Sequence, residues 1–79
     1  MSRTIPVFVN AARVDVRDDA TALDAVRTFD AEAAREVERG ARVVTDSRGL
    51  PVPADAPVAA GSIFRLVSAR ERDAAPGSE

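Results

Sequence analysis

The sequence predicts a single α+β domain in which a mixed sheet of four to five strands packs on one main helix. Apolar and polar residues alternate near both ends of the chain, as is typical of half-buried strands. A stripe of Ala, Val and Phe at helical spacing lies between these segments. The 79 residues leave room for one small domain, and the apolar fraction of 46% is that of a globular protein.

The first two predicted elements form an N-terminal β-hairpin. Residues 4–10 alternate as a strand, residues 10–12 can turn the chain, and residues 13–17 alternate again with charged residues outward. The residues expected to face the core are Ile5, Val7, Val9, Val14 and Val16.

A helix is expected to begin at Ala22. Thr21 and Asp24 have the spacing of a capping box, with Asp in place of the usual Glu or Gln. An apolar stripe continues toward Arg39, after which Gly40 offers a C-terminal stop. The pattern leaves open whether Asp30 begins a second helix. The stripe comprises Ala22, Ala25, Val26, Phe29, Ala33 and Val37.

A second hairpin is predicted in the following segment. Residues 41–45 are short and β-branched, and residues 46–49 supply turn chemistry before a return strand over residues 50–52. Because Pro51 and Pro53 have no amide hydrogen to donate, this return strand should be very brief or lie at a sheet edge.

The last predicted strand covers residues 62–68 and is apolar enough for the middle of the sheet. A loop over residues 53–57 precedes it, and the chain enters it through Gly61. Residues 70–79 contain no core-forming side chain, so the domain is expected to span residues 1–69 and to be followed by a flexible C-terminal tail.

The composition argues against several classes of function. Cys, His and Lys are all absent, which removes disulfides, thiolate chemistry, the commonest general base and Schiff-base catalysis. The net charge of −2, without a basic block, makes nucleic acid a poor partner. The sequence has no segment long and apolar enough to span a bilayer and no secretion signal, so a cytoplasmic protein without a membrane partner is expected.

The acidic residues do not form a catalytic pattern. Asp18 and Asp19 fit a solvated turn before the helix, and Glu32, Glu36 and Glu38 fit a solvated helix face. The glycines outside the tail fit a helix stop or turns and do not form a phosphate loop. We therefore expect neither an enzyme nor a bound metal or cofactor.

The order of the predicted elements is strand, strand, helix, strand, short strand, strand. With its opening hairpin, Thr21-capped helix, second hairpin and final strand entered through residues 60–63, the chain resembles the ubiquitin-like (β-grasp) superfamily across residues 4–68. This superfamily includes the sulfur carriers of thiamine and molybdopterin synthesis. The resemblance implies that the first and last strands lie side by side at the centre of the sheet.

The resemblance also implies a function for the tail. Family members are activated as acyl adenylates at a C-terminal glycine, whereas Gly77 here is followed by Ser78 and Glu79. We therefore expect a protein modifier that becomes an acyl donor at Gly77 after a protease cleaves before Ser78. Its partners would be that protease, an adenylating enzyme and a conjugating enzyme. A β-grasp adaptor that is never conjugated and a sulfur carrier are the alternatives, and a Pro-Gly pair is also common in ordinary polar tails.

The strand alternation and the resemblance together suggest a partner-binding surface. If Val7 and Val9 face the helix, Phe8 must point to the other side of the sheet. The resemblance places Val43, Phe64 and Leu66 inward. Ordinary exposure of scattered apolar residues and self-association through the same patch are alternatives. The predicted surface comprises Phe8, Val44, Arg65 and Val67.

The lysine-free composition has a further implication for a modifier. All 11 basic residues are Arg, so such a modifier could not be extended through isopeptide bonds to its own lysines. It would be attached singly or linked through another group, such as its N-terminus. The alternative is a genome whose codon usage favours Arg.

Overall fold

The computed structural model describes residues 3–69, which form a small α+β domain of one four-stranded mixed sheet and two helices. None of the helices in this part of the chain has the length and apolar character needed to cross a membrane. The elements, in chain order, are β1 (Thr4–Val9), β2 (Ala12–Arg17), α1 (Ala22–Phe29), α2 (Ala31–Glu38), β3 (Arg42–Thr45) and β4 (Ile63–Ser68).

The sheet has the strand order β2-β1-β4-β3. β1 pairs antiparallel with β2 and parallel with β4, and β3 pairs antiparallel with β4. The predicted central position of the last strand beside the first is therefore confirmed. This topology is compatible with a β-grasp-like arrangement.

The opening hairpin turns through two residues with positive φ. Asn10 has φ +51° and Ala11 has φ +69°, the pattern of a type I′ turn, which matches the right-handed twist of the flanking strands. The register pairs Val9 with Ala12 and Val7 with Val14 across the hairpin. The inward faces agree with the alternation in the sequence, while β1 ends one residue earlier and β2 begins one residue earlier than predicted.

The N-terminus of α1 is capped as the sequence predicts. Asp24 N donates to Thr21 Oγ1 at 3.2 Å, and Thr21 N donates to Asp24 Oδ2 at 3.0 Å, which completes the capping box. The loop before β4 satisfies two further amide groups of the first turn. Ala22 N and Leu23 N donate to the carbonyl oxygens of Ala56 and Ala54, at 2.8 and 2.9 Å.

The expectation of one main helix is wrong, because Asp30 divides the helical region in two. Asp30 has extended backbone angles of φ −164° and ψ 114°, which lie outside the α-helical region. Its N–H still donates to Val26 O at 2.7 Å, while its side chain accepts from Glu32 N at 3.0 Å. Asp30 thus ends α1 and caps α2, and the question that the sequence left open is resolved.

Gly40 ends α2 in a Schellman motif. Gly40 N donates to Val37 O at 3.1 Å, and Ala41 N donates to Glu36 O at 2.8 Å. The motif requires a left-handed residue at the glycine, whose φ is +81°. The predicted helix stop is confirmed.

The second hairpin has the brief return strand that its prolines predict. Thr45 and Pro51 form an isolated bridge, and Val52 N donates to Val44 O at 2.8 Å. In the turn between them, Asp46 Oδ1 accepts from Arg48 N at 2.8 Å and from Leu50 N at 3.0 Å. The Leu50 N–H, helped by the Arg48 N–H and guanidinium, lowers the pKa of Asp46 below its usual value of 3.8.

The core lies between the helices and one face of the sheet, and most of its residues are small. Alanines on both helices let the backbones approach the strands closely, and the largest fully buried side chains are Val7, Val9, Val26 and Val44. The buried apolar residues are Val7, Val9, Val16, Ala20, Ala22, Ala25, Val26, Ala33, Ala34, Val44, Val58 and Phe64.

Candidate functional site

The candidate site is the face of the sheet opposite the helices, here called the outer sheet face. Val7, Val9 and Phe64 point into the core, so the residues that alternate with them point away from it. The parallel register sets Phe8 beside Ile63. The side chains at the centre of the outer sheet face are Pro6, Phe8, Val43, Ile63, Arg65 and Val67, and Arg13 and Asp15 lie beside them on β2.

Backbone hydrogen bonds to β4 fix the position of Phe8 in this face. Phe8 N donates to Ser62 O at 2.8 Å, and Asn10 N donates to Phe64 O at 3.0 Å. Pro6 has no amide hydrogen, but its carbonyl oxygen accepts from Gly61 N at 2.8 Å. A proline is therefore accommodated in a central strand where the pairing with β4 begins.

The centre of the outer sheet face exposes apolar surface around Arg65. Ile63 is 47% exposed, Phe8 and Val67 are half-buried, and Arg65 is exposed. An open depression of about 620 Å³ is lined by Phe8, Ile63 and Arg65 together with the hairpin turn. Exposed apolar side chains beside a cation form a surface to which a protein partner can bind.

Arg65 makes no ion pair with any side chain of residues 3–69, which distinguishes it from other charges on this side of the sheet. Arg13 lies opposite Phe8 on β2, and its Nε is 3.2 Å from Asp15 Oδ1. The N–H donors of the Arg65 guanidinium are therefore not engaged by an acidic side chain of residues 3–69 and can bind a partner beside apolar side chains.

The predicted position of Val44 is wrong. Val44 is 2% exposed and lies in the core, whereas Val43 is half-buried on the outer sheet face. The register explains why the two valines have the opposite orientations to those predicted, because Val44 pairs with Leu66 and Val43 pairs with Val67. Cross-strand partners share a face, so a strand with two adjacent valines buries the one that is opposite an inward residue.

The outward directions of the other three predicted surface residues agree with the structure. Phe8, Arg65 and Val67 lie on the outer sheet face, and Phe64 and Leu66 point inward. Sequence reasoning missed Ile63 as a surface residue. The two-residue period contained the signal, since a residue that precedes an inward Phe64 must point outward.

The predicted conjugation residue, Gly77, and the cleavage point before Ser78 lie outside the described residues, as does the whole predicted tail over residues 70–79.

Four of the five acidic residues singled out in the sequence make surface ion pairs with arginines. Among residues 3–69, no group of three acidic, His or Cys side chains could hold a metal ion. Exposed pairs of this kind each contribute at most about 1 kcal/mol to folding. The pairs are Asp19 with Arg17, Glu32 with Arg35, Glu36 with Arg42 and Glu38 with Arg27.

No known protein-family model matches this sequence. A comparison with curated proteins likewise found no match.

Proposed function

We propose that this chain is a β-grasp protein of the ubiquitin-like type that acts by binding other proteins through its outer sheet face. The observation that carries the proposal is the exposed apolar surface around Ile63, with Arg65 beside it and no ion pair from Arg65 to any side chain of residues 3–69. A partner that suits this surface offers an apolar side chain next to a carboxylate. The protein itself catalyses no reaction and needs no cofactor in this role.

The rigidity of the surface supports the proposal. The central pair of strands, β1 and β4, carries Phe8, Ile63, Arg65 and Val67, and backbone hydrogen bonds fix the pair. A backbone that is already ordered loses little conformational freedom when a partner binds. A small set of apolar anchors with one charged group is the usual composition of the centre of a protein interface.

An interaction experiment in the native host tests this proposal. Ile63→Asp and Arg65→Glu should each abolish the recovery of proteins that bind the wild-type chain. Leu50→Asp is the matched control, because Leu50 is 51% exposed and lies in the turn after β3, outside the strands that form the outer sheet face. Equal recovery by wild type and Ile63→Asp, with loss only in Leu50→Asp, would contradict the proposal.

A modifier function is the second candidate, and the position of β4 favours it. β4 lies at the centre of the sheet, and the sequence after it leads to Pro76 and Gly77, the arrangement that the family resemblance implies for an acyl donor. In this role a cytoplasmic protease removes Ser78 and Glu79. An adenylating enzyme and a conjugating enzyme then transfer the Gly77 acyl group to targets, or a sulfur-carrying thiocarboxylate forms at the same atom.

Intact-mass measurement of the protein from its native host separates these functions. Loss of Ser78 and Glu79, followed by an isopeptide bond from Gly77 to a target, supports the modifier. A thiocarboxylate at Gly77 supports the sulfur carrier, and a full-length unmodified chain under all conditions supports the interaction protein alone. Gly77→Val is the control, since the added side chain should prevent activation and leave outer-face binding unchanged.

A further inference from the structure

A second surface, the open edge of β2, borders the outer sheet face, because Arg13 and Asp15 pair with Phe8 and Pro6. β2 is an edge strand, with β1 as its neighbour in the sheet that residues 3–69 form. Edge strands present unpaired backbone groups that can pair with another strand. The hydrogen bonds of β1 identify which groups of β2 are available.

Arg13 and Asp15 direct their backbone groups toward this open edge. They lie opposite Phe8 and Pro6, whose own backbone groups bond to Ser62 and Gly61 on the other side of β1. In an antiparallel pair, residues opposite such positions point their N–H and C=O groups away from the shared ladder. The next residue in the alternation, Arg17, already uses its carbonyl oxygen to accept from Ala20 N at 3.0 Å.

The side chains at these two positions have opposite charges and are open to solvent. The Arg13 side chain is 65% exposed and the Asp15 side chain is 56% exposed. Charged residues on an edge strand usually discourage pairing. Here the positive Arg13 and the negative Asp15 alternate, so the edge of one copy is complementary in charge to the same edge of a second copy.

Only one antiparallel register satisfies both the backbone and the charges. If two copies meet with Val14 opposite Val14, then Arg13 of each copy lies opposite Asp15 of the other, and each pair can exchange two backbone hydrogen bonds. Registers with Asp15 opposite Asp15 or with Arg13 opposite Arg13 set like charges together. A register that pairs Asp15 with Arg17 requires the Arg17 carbonyl oxygen that Ala20 occupies.

We infer that two copies of this chain associate through β2 in the register centred on Val14, forming one continuous eight-stranded sheet. The four charges form a square in which every neighbour has the opposite sign, both along and across the strands. The half-buried Val14 side chains meet at the twofold axis, on the face of the sheet that the helices cover. Both outer sheet faces then lie on the same side of the dimer, where they can bind a partner bivalently.

Charge-reversal variants of the full chain test the register by analytical ultracentrifugation. Arg13→Asp and Asp15→Arg each convert both cross-strand pairs to like charges, so each variant alone should dimerise at least about tenfold more weakly than wild type. An equal mixture of the two variants should regain dimers, because a copy with two acidic side chains at these positions then pairs with a copy that has two arginines. The double variant Arg13→Asp/Asp15→Arg should dimerise like wild type.

Two controls separate this interface from other effects. Arg35→Asp makes the same charge change on α2 and should leave dimerisation unchanged, and circular dichroism establishes that each variant is folded. In wild type, amide exchange at Arg13 and Asp15 should slow as protein concentration rises. A monomer at every concentration, a dimer insensitive to both reversals, or variants that do not recover on mixing would each overturn the inference.

Discussion

The side chain of Asn10 accepts a hydrogen bond from the backbone N–H of Leu66, with Oδ1 and N separated by 3.0 Å. This bond joins the turn of the first hairpin to the last strand across 56 positions in the chain. It continues the β1–β4 pairing beyond the end of β1, at the margin of the outer sheet face. Asn10 combines this contact with a left-handed backbone, which Asn adopts more readily than most residues.

We expect Asn10→Ala to lower the free energy of unfolding by about 2 kcal/mol, because it removes the acceptor for Leu66 N and places Ala at positive φ. Urea denaturation measures the change. Gly adopts positive φ without strain, so Asn10→Gly loses only the hydrogen bond and should lower the free energy of unfolding by about 1 kcal/mol. Equal losses in the two variants would show that the hydrogen bond alone accounts for the effect.

Ala11→Gly should stabilise the protein by up to about 1 kcal/mol. Ala11 has φ +69°, which is strained for a residue with a Cβ, and Gly relieves the strain at some cost in unfolded-state entropy. The variant also creates an Asn-Gly pair, the preferred sequence of a type I′ turn. Thermal unfolding tests this, with Ala12→Gly in β2 as a control that should destabilise; a loss of stability in Ala11→Gly would contradict the prediction.

The two adjacent valines of β3 should respond differently to truncation. Val44→Ala removes two buried methyl groups and should cost about 2 kcal/mol, whereas Val43→Ala on the outer sheet face should cost less than about 1 kcal/mol. Chemical denaturation of both variants measures the difference. The reverse order would mean that the register of β3 against β4 is shifted by one residue.

The Asp46 turn should make stability depend on pH in the acid range. Because its pKa is lower in the folded chain than in the unfolded chain, the stabilisation is fully present above the unfolded value of 3.8 and is lost as pH falls through the folded value. The free energy of unfolding, measured from about pH 5 to about pH 2, should therefore be higher for wild type than for Asp46→Asn at the upper end, and the difference should shrink as pH falls. A difference that is constant across this range would exclude Asp46 as the cause.

Local patterns predicted much of this fold because the interactions that determine it join residues close together in the sequence. The capping box at Thr21, the helix stop at Gly40 and the brief strand at Pro51 each depend on a few neighbouring residues. The alternation of the first hairpin likewise fixed which side of β1 carries Phe8. A candidate surface could therefore be proposed from sequence, although Ile63 was missed.

The sequence by itself determined the order of the strands around the helical region, the first hairpin and the direction of Phe8, since backbone preference and residue period act locally. Tertiary structure decided whether Val43 or Val44 is buried, because both are equally apolar and only the register against Leu66 distinguishes them. It also decided that Arg13 and Asp15 direct their backbone groups to an open edge. That depends on which carbonyl and amide groups of β1 are already bonded to β4, a strand that lies far from β1 along the chain.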